Sequence, residues 1–148
     1  MDNLTLSNNY NYKVKNKELN VKIETSKFSF IKRKDCGHID YISPVPSPFN
    51  YGSVENTISG DGDRIDVIVL GDRIKTGLSK VAPIVAKVEF YDNGWPDLKY
   101  ICSDIKLSSM KRVFIIAFFI FFAFAKRLLN KIRGKRGITK LIQIDFTE

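Results

Sequence analysis

A carboxylate sits inside a run that otherwise reads as a buried strand. Ile65-Asp66-Val67-Ile68-Val69-Leu70 is apolar on both faces apart from Asp66. A short run rich in β-branched residues, with no polar alternation, fits a strand covered on both sides. An isolated carboxylate there costs several kcal/mol to bury, or takes up a proton. A metal ion or a cationic side chain beside it removes that cost.

Asp66 is one of five aspartates at fixed spacing. Asp61 and Asp63 precede it in Ser59-Gly60-Asp61-Gly62-Asp63-Arg64-Ile65-Asp66-Val67, and Asp92 and Asp97 frame Asp92-Asn93-Gly94-Trp95-Pro96-Asp97, with Lys99 just beyond. Carboxylates that close repel one another unless something positive lies among them, and hard divalent cations prefer oxygen ligands. The cluster therefore points to a magnesium-type site. For Asp61, Asp63 and Asp66 alone, a polar turn before a strand is an equal alternative, because Asp-Gly-Asp is common turn chemistry. A calcium loop does not fit: its fifth position, an oxygen ligand, would be Ile65, and its sixth, a glycine, would be Asp66. No Gly-Lys-Ser/Thr follows the glycines, which excludes a P-loop.

The surrounding chain reads as short strands. Leu19 to Glu24 alternates apolar and polar residues, Lys27 to Arg33 alternates too, and Asp35-Cys36-Gly37-His38 marks a turn before a returning strand at Ile39 to Ile42. Ser43-Pro44-Val45-Pro46-Ser47-Pro48 is a rigid extended connection, since proline fixes φ and donates no hydrogen bond. A short strand or bend follows at Phe49 to Val54. Lys80 to Phe90 is a strand bent near Pro83, and Leu98 to Cys102 pairs with it across the Asp92–Asp97 turn. Short strands with the helical pattern left to the end predict a mainly β, α+β fold: a small closed β-barrel, OB-like with a five-stranded core, and a C-terminal helix.

Three regions follow from composition. Residues 1–19, rich in Asn, Lys and Tyr, read as a flexible lead-in, residues 20–110 as the barrel, and residues 111–148 as an apolar, then basic helical segment. That last segment holds nine Lys/Arg against Asp145 and Glu148, so most of the net charge of +8 lies there. Such a tail suits an anionic partner such as membrane lipid, or is a solvated helix face. Val113 to Ala125 has no polar side chain but is shorter than the roughly 17 to 25 residues of a spanning helix. A buried or interfacial helix fits better, with membrane contact through residues 113–140 as one use and a homo-oligomer contact as another. Nucleic acid is not expected, because few aromatic residues interleave the basic stretch. Cys36 and Cys102 form no metal or disulfide pattern, and Met1 to Asn11 has no apolar signal core, so a cytoplasmic protein is expected.

The wider pattern carries a resemblance. Asn50-Tyr51-Gly52, then Thr57-Ile58-Ser59-Gly60-Asp61-Gly62-Asp63, then Ile65-Asp66-Val67-Ile68-Val69 resembles the core signature of soluble inorganic pyrophosphatases, N-Y-G followed by T-L-S-x-D-G-D-P-[LV]-D-V-[LI]-V. Asp92, Asp97 and Lys99 match that family's D-x-x-x-x-D-x-K block. Val21 to Glu24 and Ile31-Lys32 look like its first two strands, so the resemblance covers residues 20–108. It implies hydrolysis of pyrophosphate with magnesium, or manganese, as cofactor. By the same resemblance, Asp61, Asp66 and Asp97 would be principal metal ligands. Asp92 would hold a metal that arrives with substrate, and Glu24 would complete the metal set. Asp63 would accept the proton of the attacking water, and Lys32, Tyr51, Lys99 and Lys126 would contact phosphoryl oxygens. The chain departs from the pattern at Arg64, where the family has proline. It departs again at Tyr41, near the place of a phosphate-contacting arginine, and at Ala125, in place of a tyrosine.

Overall fold

The computed structural model describes residues 18–34, 36–55, 57 and 62–147. Strands β1 (Glu18–Thr25), β2 (Ile31–Arg33), β3 (Ile39–Ile42), β4 (Asn50–Val54), β5 (Asp66–Val69), β6 (Ser79–Asp92) and β7 (Trp95–Cys102) precede helix α1 (Ser109–Ile132), and β8 (Lys140–Phe146) follows it. In the main sheet β1 pairs with β4, β4 with β5, β5 with β7 and β7 with β6, and β6 returns to β1. This is the five-stranded closed barrel expected from the sequence. The β5–β7 ladder is parallel and the other ladders of the ring are antiparallel. Strands β2 and β3 form the expected hairpin, as a sheet of their own; its first strand is confined to Ile31–Arg33, shorter than the alternation from Lys27 suggested.

Strand β6 closes the ring by serving different neighbours along its length. Ser79 to Pro83 pairs with β1, whereas Ala86 to Tyr91 pairs with β8 on one side and Ile84 to Asp92 with β7 on the other. The register shifts between Ile84 and Ala86, close to Pro83, whose missing N–H favours an irregularity there.

The run around Asp66 is apolar on both faces because this part of the wall lies between two cores. Val67 and Val69 point inward with Val21, Ile23, Tyr100 and Cys102. Ile68 points outward to Ile101, Ile115 and Phe119, under α1. Burying one such side chain stabilises the fold by about 1.5–3 kcal/mol.

Asn50 and Gly52 explain themselves in this frame. Asn50 is fully buried; its side-chain oxygen accepts from Lys27 N and Ile74 N, and its amide donates to Asp72 O at 2.8 Å. One side chain thus ties two loops to β4. Gly52 lies where β1 crosses closely, and a Cβ there would overlap the Lys22 carbonyl.

Helix α1 starts at Ser108, whose hydroxyl accepts from Lys111 N. Ile115, Phe119 and Ala123, four apart, face the barrel, with Asn130 further along the buried side. The outer face stays exposed and apolar, with Ile120, Phe121 and Phe124 each more than half accessible. The helix is longer than the thirteen-residue run suggested, and it is long and apolar enough to cross a membrane by length and composition.

Three boundaries that bear on the site differ from the sequence reading. Residues 111–148 are not helical throughout: α1 ends at Ile132, Gly134 takes φ of 72°, and Lys140–Phe146 is a strand. Its β-branched and aromatic residues find an open edge on β6, and that pairing overrides the basic, helix-like composition before it. At the other end β1 begins at Glu18, inside the expected lead-in; residues 1–17 lie outside the described residues. The β6–β7 turn is also tighter than Asp92–Asp97. It is the pair Asn93-Gly94, with φ of 53° and 83°, which matches a two-residue turn of the type Asn-Gly favours. Asp97 therefore lies within β7, opposite Phe90.

Candidate active site

Strand register assembles the centre of the site. Asp66 pairs with Ser53 across β4–β5 and with Lys99 across β5–β7. Lys99 and Asp97 are two apart on β7, so their side chains leave the same face. Lys99 is buried, and its Nζ lies 2.8 Å from Asp66 Oδ2, 2.9 Å from Asp97 Oδ2 and 3.5 Å from the Tyr51 hydroxyl. The cationic partner that Asp66 needs is present within the chain.

The two carboxylates respond differently to that shared ammonium. Burial pushes the Asp66 carboxyl up, but the Lys99 charge and hydrogen bonding outweigh it and hold Asp66 below the usual carboxylate range. Asp97 is the less exposed of the two. Burial drives it above that range, Lys99 offsets only part, and the negative charges of Asp66 and Asp92 add to the rise. For Lys99, burial favours the neutral form, yet Tyr51, Asp66 and Asp97 together hold it well above the usual lysine range. Burial likewise raises the Tyr51 hydroxyl well above its ordinary value, against the pull of Lys99.

Around this centre the other expected residues fall in two groups. Lys32 Nζ stands 5.4 Å from the Tyr51 ring centre and 5.9 Å from that of Tyr41, at 3.9 Å from Asp40. Tyr41 thus borders the lysine, as a ring rather than as a second cation. Glu24 accepts a 2.6 Å hydrogen bond from Ser53, the register partner of Asp66. On the helix side, Lys126 Nζ lies 3.2 Å from Asp92 Oδ2, and Asn130 donates to Asp92 Oδ1 at 2.7 Å. Burial raises the Asp92 carboxyl, but Asn130 and Lys126 hold it below the usual range. Asp63 is exposed, just ahead of β5, and Asp61 lies outside the described residues.

Sequence reasoning missed three participants. Phe122 places its ring centre 5.9 Å from Lys99 Nζ, beneath the helix. Asn130 and Thr139 bracket Asp92 and Asn93. The spacing of Asn130, four after Lys126, was the available signal, since such residues share a helix face.

Among the described residues no three His, Cys, Asp or Glu side chains form a ready cation cage. The donor set is nonetheless suited to a hard divalent ion: Asp66 and Asp97 already converge on one positive charge, through oxygens.

A sequence model described as inorganic pyrophosphatase matches residues 9–131. The chain belongs to the inorganic pyrophosphatase family. An inorganic pyrophosphatase of Synechocystis is 32% identical over 84 residues, covering 55% of this chain and 50% of the relative. One from Malacoplasma penetrans is 32% identical over 92 residues, covering 57% and 51%. The chain thus spans about half the length of these relatives. A solved inorganic pyrophosphatase of Helicobacter pylori superposes with a TM-score of 0.66 at 26% identity, covering 87% of this chain and 84% of the other. The family match takes in the barrel strands and α1 up to residue 131, and β8 follows it in sequence; a solved inorganic pyrophosphatase of Ehrlichia chaffeensis superposes over 98% of this chain and 92% of its own, with a TM-score of 0.65 at 24% identity.

Proposed function

We propose that this pyrophosphatase-family chain hydrolyses inorganic pyrophosphate to two phosphates with a divalent cation, magnesium or manganese, in the cytoplasm. The observation that carries the reading is the group of Asp66, Asp97, Lys99 and Tyr51, with Asp97 and Lys99 buried and Lys32 at its rim. It combines oxygen donors for a cation with cations for a polyanion.

Asp61, Asp66 and Asp97 would be the principal ligands, with Asp92 and Glu24 as further carboxylates. A divalent ion bound there neutralises phosphoryl charge and lowers the pKa of a water. The protein's own groups do the rest. Lys32, Tyr51, Lys99 and Lys126 orient the two phosphoryl groups through their oxygens, as lysine suits a movable point charge. Water attacks one phosphorus, its proton passes to the Asp63 carboxylate, and the bridging oxygen leaves with the second phosphate. Asp63 needs hydrogen-bond reach for this, and its exposure leaves it open to solvent. Phosphate release from pyrophosphate with magnesium should be lost or strongly reduced in Asp66→Asn; equal release by the two proteins would sink this site.

A second reading rests on α1. Its exposed apolar face, with Lys111-Arg112 before it and Lys126-Arg127 after the phenylalanines, suits a pyrophosphatase-fold module of impaired activity that docks on a membrane or a protein. In the catalytic reading the same face would be covered by a second copy in a homo-oligomer. Fractionation separates the two: a detergent-free soluble protein that turns over pyrophosphate rejects the module reading.

A further inference from the structure

We propose that Asn130 is a positioning residue for Asp92, acting with Thr139 in a closed ring of hydrogen bonds. The inference rests on reading Asp92 as a carboxylate of the cation site.

Asn130 is the polar residue among the buried side chains of α1, in line with Ile115, Phe119 and Ala123. A buried amide is costly unless its donors and acceptors are met. Its Nδ2 donates to Asp92 Oδ1 at 2.7 Å and to Thr139 Oγ1 at 2.8 Å. Thr139 Oγ1 in turn accepts from the main-chain N of Asn93 at 3.0 Å. The ring runs Asp92, Asn130, Thr139, Asn93 and back along the chain to Asp92. It grips one residue by its side chain and the next by its backbone.

Neighbouring bonds stiffen the same corner. Gly94 N donates to Ile138 O at 2.7 Å, and Gly137 N to Asn93 Oδ1 at 2.8 Å. Arg127 Nε donates to Thr139 O at 3.0 Å, which ties the strand approach back to the helix.

The amide orientation follows from its partners. Turned over, the amide would set its oxygen against the Asp92 carboxylate, acceptor against acceptor. In the orientation present, Asn130 Oδ1 is buried and meets no hydrogen-bond partner among the described residues. A buried acceptor left without a partner is destabilising. It is tolerated where both N–H groups hold Asp92 and Thr139. The consequence for Asp92 is specific: Oδ1 is occupied by a neutral donor, and Oδ2, now beside Lys126, is the oxygen presented to a cation. Aspartate at position 130 would present acceptors only.

The experiment measures Mn2+ binding in the presence of methylene diphosphonate, a non-hydrolysable diphosphate, from loss of the free-ion electron paramagnetic resonance signal. Asn130→Ala and Thr139→Val should each weaken binding by about 10- to 100-fold, the range for residues that orient a ligand. Thr139→Ser, which keeps the hydroxyl, should stay within about threefold of the wild type. A purely structural role would lower unfolding stability without separating Ser from Val in Mn2+ affinity. The near-isosteric Thr139→Val carries the test should Asn130→Ala fail to fold. Wild-type affinity in Thr139→Val, with weakened binding in Asp92→Asn, overturns this proposal alone. Wild-type affinity in Asp92→Asn overturns the reading of Asp92 as a ligand, and this proposal with it.

Discussion

Asp66 and Lys99 face each other as register partners on the parallel strands β5 and β7 and share a 2.8 Å ion pair. The pair lies on the outer face of the barrel wall, the face that carries Ile68 and Ile101 under α1, and Asp97 joins it from two residues earlier on β7. Removing the ammonium leaves two carboxylates close together with their positive partner gone. Lys99→Met should therefore lower unfolding stability by about 3–5 kcal/mol, as for other buried pairs broken on one side. Urea denaturation of the metal-free protein at neutral pH measures this. A loss under about 1 kcal/mol, the scale of a solvent-exposed pair, contradicts it.

The shared lysine also sets an order of protonation. Asp97 lies above, and Asp66 below, the ordinary aspartate range. As metal-free protein is acidified, Asp97 should take its proton first. That event relieves a buried charge and favours the folded state. Asp66 contributes stability above the unfolded aspartate pKa of about 3.9, and this is lost as pH falls through its lower folded value. Lys99 contributes below its unfolded pKa and loses that contribution as pH rises through its raised folded value. Carboxyl-carbon NMR titration reads the order; Asp66 titrating above Asp97 would refute it.

Gly52→Ala should cost about 1–3 kcal/mol, because the added Cβ meets the β1 backbone rather than a yielding side chain. Thermal unfolding of the variant against wild type checks it. An unchanged melting temperature would mean that β1 and β4 separate there without penalty.

The two cysteines should differ sharply in reactivity. Burial, with help from Asp104, pushes the Cys102 thiol up to about 12, while Cys36 is exposed. At pH 8 a disulfide reagent should titrate one thiol in the folded protein and two after denaturation. Two fast-reacting thiols in the native state would place Cys102 at the surface.

The barrel was legible because its strands announce themselves locally. Alternation in β1, the proline block before β4 and the two-sided apolar run of β5 each carry their own signal. The need of Asp66 for a positive neighbour could also be read from the sequence. Which neighbour could not, because the Asp66–Lys99 pairing depends on two strands 33 residues apart lying parallel. Strand β8 was hidden for a different reason. Lys131 to Arg136 extends the basic pattern of the helix, and the short alternating run after Gly137 gains its strand character from the edge of β6. Asn130 had only its spacing from Lys126 as a signal and Thr139 had none, since their meeting point is a turn some forty residues earlier.

The ring closes where β6 meets β1, and the bracket on Asp92 comes from beyond that closure. In synthesis residues 130 and 139 emerge after the strands of the barrel ring. A nascent chain with α1 and β8 still unmade holds every residue of the Asp66–Lys99–Asp97 group, yet nothing to turn Asp92 toward it. Such a chain also lacks Phe122 over Lys99 and the helix face that covers Ile68 and Ile101, so the buried charges and the tethered carboxylate both wait on α1.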